Sequence, residues 1–183
     1  MIKKLKGAEL LRLSADAPAQ AVRVPLRFML DNIRSGNNVG SFFRTADGFR
    51  LDGVVLTGIS AQPPHRDILK TSLGAEKTVP WTYVANGVEA LHALRTEGFK
   101  IAIIEQTTAS ISLEDWQPTT DEKWVVVMGN EVSGVAEELL ALGDVCIEVP
   151  QFGTKHSFNV AVCGGIVSWE FMRKCGLSFL SGC

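Results

Sequence analysis

Ile147-Glu148-Val149-Pro150-Gln151-Phe152-Gly153-Thr154-Lys155-His156-Ser157-Phe158-Asn159 reads as a strand end, a bend and a polar cluster ahead of a long apolar helix. The apolar strand stops at Val149, Pro150 turns it, and Gly153 lets the backbone bend sharply. Lys155, His156, Ser157 and Asn159 then precede a helix expected over 160–174. A junction of this kind gathers uncapped backbone N–H groups, hydroxyls and amides around one pocket. A plain connection between strand and helix takes roughly two to six residues and needs far fewer hydrogen-bonding groups. The stretch is therefore read as a binding loop.

The alternation of strand and helix continues upstream. Apolar runs predict strands over 26–30, 53–57, 79–84, 100–105, 124–128 and 145–149. Between them, apolar residues at helical spacing predict helices over 39–49, 66–72, 86–97 and 135–142, with Asn86 as a cap and Gly98 and Gly143 as stops. Residues 107–121 are polar and irregular. The pattern implies an α/β fold, a mostly parallel sheet with helices on both faces.

A chain of 183 residues with 46% hydrophobic and 21% charged content can bury one full core and is short for two. The expected division is a basic helical extension over 1–25 and one domain over 26–183. No run reaches the ~18 apolar residues that cross a bilayer, and no apolar signal core follows the basic start, so a cytoplasmic protein with no membrane partner is expected. Cys146, Cys163, Cys175 and Cys183 show neither Cys-x-x-Cys nor zinc-ligand spacing and are read as free thiols, with no metal site. Charge is unevenly placed: the first fifty residues hold nine Lys/Arg against four Asp/Glu, the remaining 133 nine against sixteen. A basic front on an acidic body steers a polyanion to one face, though a solvated basic helix face fits the same counts.

Ligands of parallel sheets bind beyond the carboxyl ends of the strands. Two more loops there are rich in polar groups: Asn37-Asn38-Val39-Gly40 with Arg44 following, and Met128-Gly129-Asn130-Glu131-Val132-Ser133-Gly134. Side by side with the first, they bring together Asn38, Arg44, Glu131, Ser157 and Asn159. Each also fits a plainer role: Asn38 as a helix cap, Arg44 in a surface ion pair, Glu131 at a positive helix end, Ser157 or Asn159 as the cap of the last helix. The phosphate loop Gly-x-x-x-x-Gly-Lys-Ser/Thr, the dinucleotide fingerprint Gly-x-Gly-x-x-Gly and the elbow Gly-x-Ser-x-Gly are all missing, which removes the commonest α/β enzymes, nicotinamide oxidoreductases among them.

Taken together, the motifs resemble the SpoU/TrmH family of S-adenosylmethionine-dependent RNA ribose 2′-O-methyltransferases, in the SPOUT superfamily. The resemblance rests on Asn38-Val39-Gly40-Ser41-Phe42-Phe43-Arg44-Thr45, on Val127 to Val135, and on Ile147 to Val162 with the helix after it. Thr71-Ser72-Leu73-Gly74-Ala75-Glu76 is similar to another family segment. Phe158 stands where Leu is expected, and Cys163-Gly164-Gly165 where small residues such as Ala are usual.

The resemblance implies a C-terminal trefoil knot, a homodimer with the cofactor pocket near the subunit interface, and S-adenosyl-L-methionine as cofactor. It places Met128, Gly129, Val149, Pro150 and Phe158 at the cofactor. It makes Arg44 the catalytic residue, with Asn38, Glu131, Ser157 and Asn159 around it. The implied substrate is RNA, tRNA favoured over rRNA because the domain carries no ribosomal-RNA-binding extension. A non-catalytic RNA-binding protein on the same fold is the alternative. A ribose hydroxyl is a weak nucleophile, so its proton must be removed or the forming alkoxide stabilised. A guanidinium, which holds its proton far more tightly than other side chains, suits clamping a phosphate and stabilising negative charge better than acting as general base, although the family role is often given as the latter.

Overall fold

The computed structural model describes residues 2–5 and 22–180. Of the helical extension expected over 1–25, residues 2–5 and 22–23 are not helical and residues 24 and 25 already belong to the first strand, because Val24 pairs with Leu51; the remainder lies outside the described residues, as does Cys183. Seven strands form one sheet in the spatial order β3-β2-β1-β6-β4-β7-β5. They are β1 (Val24–Asp31), β2 (Leu51–Thr57), β3 (Trp81–Val84), β4 (Phe99–Ile104), β5 (Ile111–Ser112), β6 (Lys123–Met128) and β7 (Val145–Glu148). All neighbours pair in parallel. The central strands are covered on both faces and therefore read as nearly unbroken apolar runs, Trp124-Val125-Val126-Val127-Met128 being the plainest.

Helices α1 (Gly36–Gly48), α2 (Arg66–Ser72) and α5 (Val160–Phe171) cover one face, and α3 (Gly87–Thr96) and α4 (Glu137–Leu140) the other. Phe28 of β1 meets Phe42 of α1 edge-on at 4.8 Å, and Leu30, Val126 and Ile147 fill the same layer. Met29, Ile101, Val125 and Val127 point the other way, onto Leu91, Leu94 and Leu139. Alternation along each strand thus builds two cores from one sheet.

Register matters most for function. Leu30 is level with Met128, Met128 with Ile104, and Ile104 with Ile147. The carboxyl ends of β1, β6, β4 and β7 therefore stop on one line, and their loops begin at one height.

Several elements differ from the sequence expectation at their ends. β1 opens at Val24 and α1 at Gly36, because the Ser35 hydroxyl, not Asn38, accepts from a first-turn N–H. The helix expected over 135–142 contracts to α4, since Glu105 and the loop claim Val135. Within 107–121, Ile111 and Ser112 add an edge strand beside β7. The last helix carries on past Lys174 as a π-turn (Met172–Gly176) and α6 (Leu177–Leu180). Among the described residues no helix is long and apolar enough to cross a membrane.

Helix α2 lies hard against α1. A Cβ on Gly36 would come within 2.7 Å of His65, and one on Gly40 within 2.1 Å of Thr71 Oγ1 and 2.5 Å of the Ile68 carbonyl. The Thr71 hydroxyl donates to the Asn37 carbonyl at 3.0 Å across this seam. Glycine one helical turn apart lets the two backbones approach, and any side chain there wedges them apart. Gly40→Ala is expected to cost about 2 kcal/mol or more through overpacking against backbone atoms; urea denaturation of both proteins measures it.

Candidate active site

The loop after β6 is built to hold one carboxylate outward. Asn130 and Gly134 exchange backbone hydrogen bonds at 3.0 Å each, closing a tight hairpin, with Gly134 in the left-handed region at φ 70°. The Asn130 carboxamide accepts from Val132 and Ser133 N–H at 2.9 and 3.1 Å and donates to the Asn32 carbonyl at 2.7 Å, which ties the hairpin to the end of β1. Glu105, at the end of β4, accepts from Val135 N–H at 3.0 Å and from Gln106 N–H at 2.9 Å, holding the loop from its other side.

From this hairpin Glu131 reaches the start of α1. It accepts from Asn38 Nδ2 at 2.9 Å and from the Ser35 and Arg34 N–H groups at 3.3 and 3.4 Å. Its partner Asn38 accepts in turn from Asn159 Nδ2 at 3.1 Å. Asn159 caps α5, its Oδ1 accepting from Ala161 and Val162 N–H at 3.0 and 3.2 Å. Three loops far apart in sequence are thereby joined side chain to side chain. Burial pushes the Glu131 carboxyl up, but the hydrogen bonds from Asn38, its own backbone and the Ser35 and Arg34 N–H groups outweigh it and hold the group below its ordinary value. Glu131 stands at the positive end of α1, beside it in space, rather than at the helix that follows it in sequence.

Behind this relay lies a cavity of about 440 Å³ at the ends of β4, β6 and β7. That volume falls within the small-molecule range of roughly 300–1,000 Å³. Apolar walls come from Ile104, Met128, Ile147, Val149 and Phe158, and the charged residues lining it are Glu105, Glu131 and Glu148. Lys and Arg are absent from the lining among the described residues. Cys163 also lines it, its thiol pushed up to about 11 by burial and by Glu105, so it is a protonated wall rather than a nucleophile. Among the described residues no cluster of three His, Cys, Asp or Glu is placed to hold a metal ion.

Of the expected cofactor residues, Met128, Gly129, Val149 and Phe158 line this cavity, while Pro150 and again Val149 line an adjoining one of about 380 Å³. Glu131, Ser157 and Asn159 line the first cavity; Ser157 is exposed and Asn159, not Ser157, caps the helix. Asn38 stands just outside, bonded to two of them. Arg44 is apart from the cavity wall: six residues beyond Asn38 on α1, it lies about 9 Å along the axis and about two-thirds of a turn round it. It is exposed and makes no hydrogen bond or ion pair with a described residue. Sequence reasoning passed over Glu105, hidden at the end of an apolar strand, and Asn130, whose only signal was its place in the Gly129 to Gly134 loop.

Residues 25–169 match the model of the SpoU rRNA Methylase family, and the chain belongs to that family. It is 31% identical over 139 residues to the tRNA (guanosine(18)-2′-O)-methyltransferase TARBP1 of Mus musculus, covering 75% of this chain and 9% of that protein. The crystal structure of the A. aeolicus TrmH/SpoU tRNA modifying enzyme superposes with a TM-score of 0.74 at 26% identity, over 84% of this chain and 77% of that one. An AdoMet-bound rRNA methyltransferase from Sinorhizobium meliloti shares the fold at a TM-score of 0.76 and 24% identity, over 86% of this chain and 60% of that one. The chain thus spans only part of the mouse and Sinorhizobium proteins it matches.

Removing the Glu131 charge tests the relay. Because its carboxyl is held below 4.5, the stabilisation it brings is full above that pH and fades as pH falls through the lowered folded-state value. Glu131→Gln is expected to lose about 1 kcal/mol at neutral pH. In denaturant titrations across pH, the gap between the two proteins should shrink on acidification below 4.5 and stay constant above neutrality.

Proposed function

We propose that this member of the SpoU family transfers a methyl group from S-adenosyl-L-methionine to a ribose 2′-hydroxyl of RNA, acting in the cytoplasm with tRNA as the substrate. The observation that carries the reading is the Glu131–Asn38–Asn159 relay closing a cavity of about 440 Å³ at the strand ends. The residues present fit the cofactor. Apolar walls suit an adenosine, loop backbone groups offer hydrogen bonds, and a lining whose charges are all carboxylates favours a ligand bearing positive charge. When bound, the cofactor supplies an electrophilic methyl group on a sulfonium.

The chain's own residues do the rest. Met128, Gly129, Val149, Pro150 and Phe158 hold the cofactor. Glu131 and Asn159 fix Asn38 between them, so its amide is presented in one orientation to the ribose. Ser157, exposed at the cavity mouth, is free to meet the substrate backbone. Arg44 clamps the neighbouring phosphate and stabilises negative charge as it develops on the 2′ oxygen, whose proton passes to solvent water as the methyl group arrives. Preference for tRNA draws on the tRNA-directed names of the mouse and A. aeolicus relatives.

Arg44 stands outside the wall of its own cavity, so the reading includes a homodimer in which a second copy completes the site. Helix α5 supports this. It is apolar along most of its length, Glu170 being its one charged residue, yet Val162 and Trp169 are 54% and 55% exposed. With Gly165 and Ile166 between them they form a stripe at i, i+3, i+4 and i+7, and nothing stands within 4 Å of a Cβ placed on Gly165. The reading also carries the family's C-terminal trefoil knot, and in the loop ahead of α5 Gln106 Nε2 donates to the His156 carbonyl at 3.2 Å.

Arg44→Ala is expected to lower methyl transfer by about 100-fold or more while cofactor affinity stays within about threefold. Tritiated-methyl incorporation into tRNA and isothermal titration with S-adenosyl-L-methionine measure the two. Full turnover by the variant would remove Arg44 from the reaction, and no cofactor binding by the unaltered protein would remove the reading itself.

A further inference from the structure

Cations on this surface divide by whether they have partners. Arg27 pairs with Asp52 and Glu97, Arg95 with Asp144, Lys100 with Glu122, and Arg173 and Lys174 with Glu170. The side chains of Arg44, Arg66 and Lys70, like those of Arg34, Arg50 and Lys155, form no hydrogen bond or ion pair with a described residue, and the first three are exposed. They also belong together. Along the α1–α2 seam Gly36 meets His65 and Asp67, Gly40 meets Ile68 and Thr71, and Asp47 accepts from the Thr78 hydroxyl at 2.9 Å. The two helices run the same way, so Arg44 falls between the Thr71 and Thr78 contacts, alongside residues 72–75. Arg66 and Lys70, one turn apart, lie on the outer face of α2.

Two aliphatic side chains stand among these cations. Leu69 is exposed, and Leu73, 67% exposed, sits in the left-handed region at φ 53° that branched side chains rarely adopt. A buried carboxylate enforces that turn. Glu76 accepts from Ser72 Oγ at 2.5 Å and from its own and the Gly74 N–H, and the Ser72 bond, then the backbone N–H groups and Lys77, lower its pKa against the effect of burial. Ser72, Gly74 and Glu76 thus hold Leu73 out into solvent. This is the Thr71 to Glu76 segment that the proposed chemistry left without a task.

We infer that the outer face of α2, with Arg66, Lys70, Leu69 and Leu73 continuous with Arg44, is the surface on which the RNA strand docks on its way to the site. The inference rests on the RNA reading above and names where the substrate lies. Unpaired cations meet phosphates, and the aliphatic side chains between them meet sugar and base faces. Charge over the rest of the molecule points the same way: residues 99–149 carry ten Asp/Glu against two Lys, so a polyanion is repelled from the β4–β7 half and steered to the α1–α2 edge. A second copy of the chain fits this face poorly, since a two-fold contact here would set Arg66 and Lys70 against themselves.

The test is the double variant Arg66→Gln/Lys70→Gln in the full chain, with bulk tRNA as probe across a series of salt concentrations. Affinity is expected to fall about tenfold, and the slope of log affinity against log salt to shrink by about two. The conservative pair Arg66→Lys/Lys70→Arg should retain both, and cofactor affinity should be unchanged in each. Unaltered affinity and slope in a folded double variant overturn the inference while leaving methyl transfer standing. A change in oligomeric state by sedimentation, with tRNA affinity kept, overturns it in favour of a contact between copies. Failure of the unaltered protein to bind tRNA at all removes the RNA reading on which the inference rests.

Discussion

Glu131, Asn38 and Asn159 share two side-chain hydrogen bonds, and the organisation of the site depends on them. Separately each residue does something ordinary: a carboxylate at a helix start, an amide on the first turn, a helix cap. Joined, they fix the β6 loop, α1 and α5 in one arrangement. The sheet makes this possible, because the level register of Leu30, Met128, Ile104 and Ile147 starts the loops at a common height. The relay is partly exposed, so its worth in stability is modest. Its consequence is geometric, since the cavity wall and the mouth of the site are built from the same loops.

Charge is divided with the same economy. The cavity is lined by carboxylates and admits a ligand with positive charge; the outer α1–α2 edge carries unpaired cations and suits a polyanion. A single net charge of −2 conceals both. Methyl transfer from a cationic donor to a phosphate-bearing acceptor needs the two surfaces close together and opposite in sign, and α1 links them, with Asn38 at its start and Arg44 six residues on.

Much of this was legible in the sequence, for identifiable reasons. Strands buried on both faces must be largely apolar, so β4 and β6 announced themselves within a residue or two. Helix ends were harder. Ser35 displaced Asn38 as the cap of α1 because the carboxamide of Asn38 is taken by Glu131 and Asn159, partners 93 and 121 residues away. Glu105 was hidden for a similar reason: its hold on Val135 spans 30 residues, and nothing local marks it. The short α4 and the edge strand at Ile111 and Ser112 are decided by tertiary contacts that no local pattern encodes. The outward placement of Arg44 could not be read from its motif either, since helical phase relative to the cavity depends on how α1 seats on the sheet.

Hydrogen exchange with and without S-adenosyl-L-methionine tests the central claim, that three distant loops form one cofactor cavity. The account predicts slowed exchange together at residues 128–135, at 149–151 and at the start of α5 around 158–163, with the α2 face unchanged. Protection confined to one of these segments, or appearing elsewhere on the sheet, would contradict it.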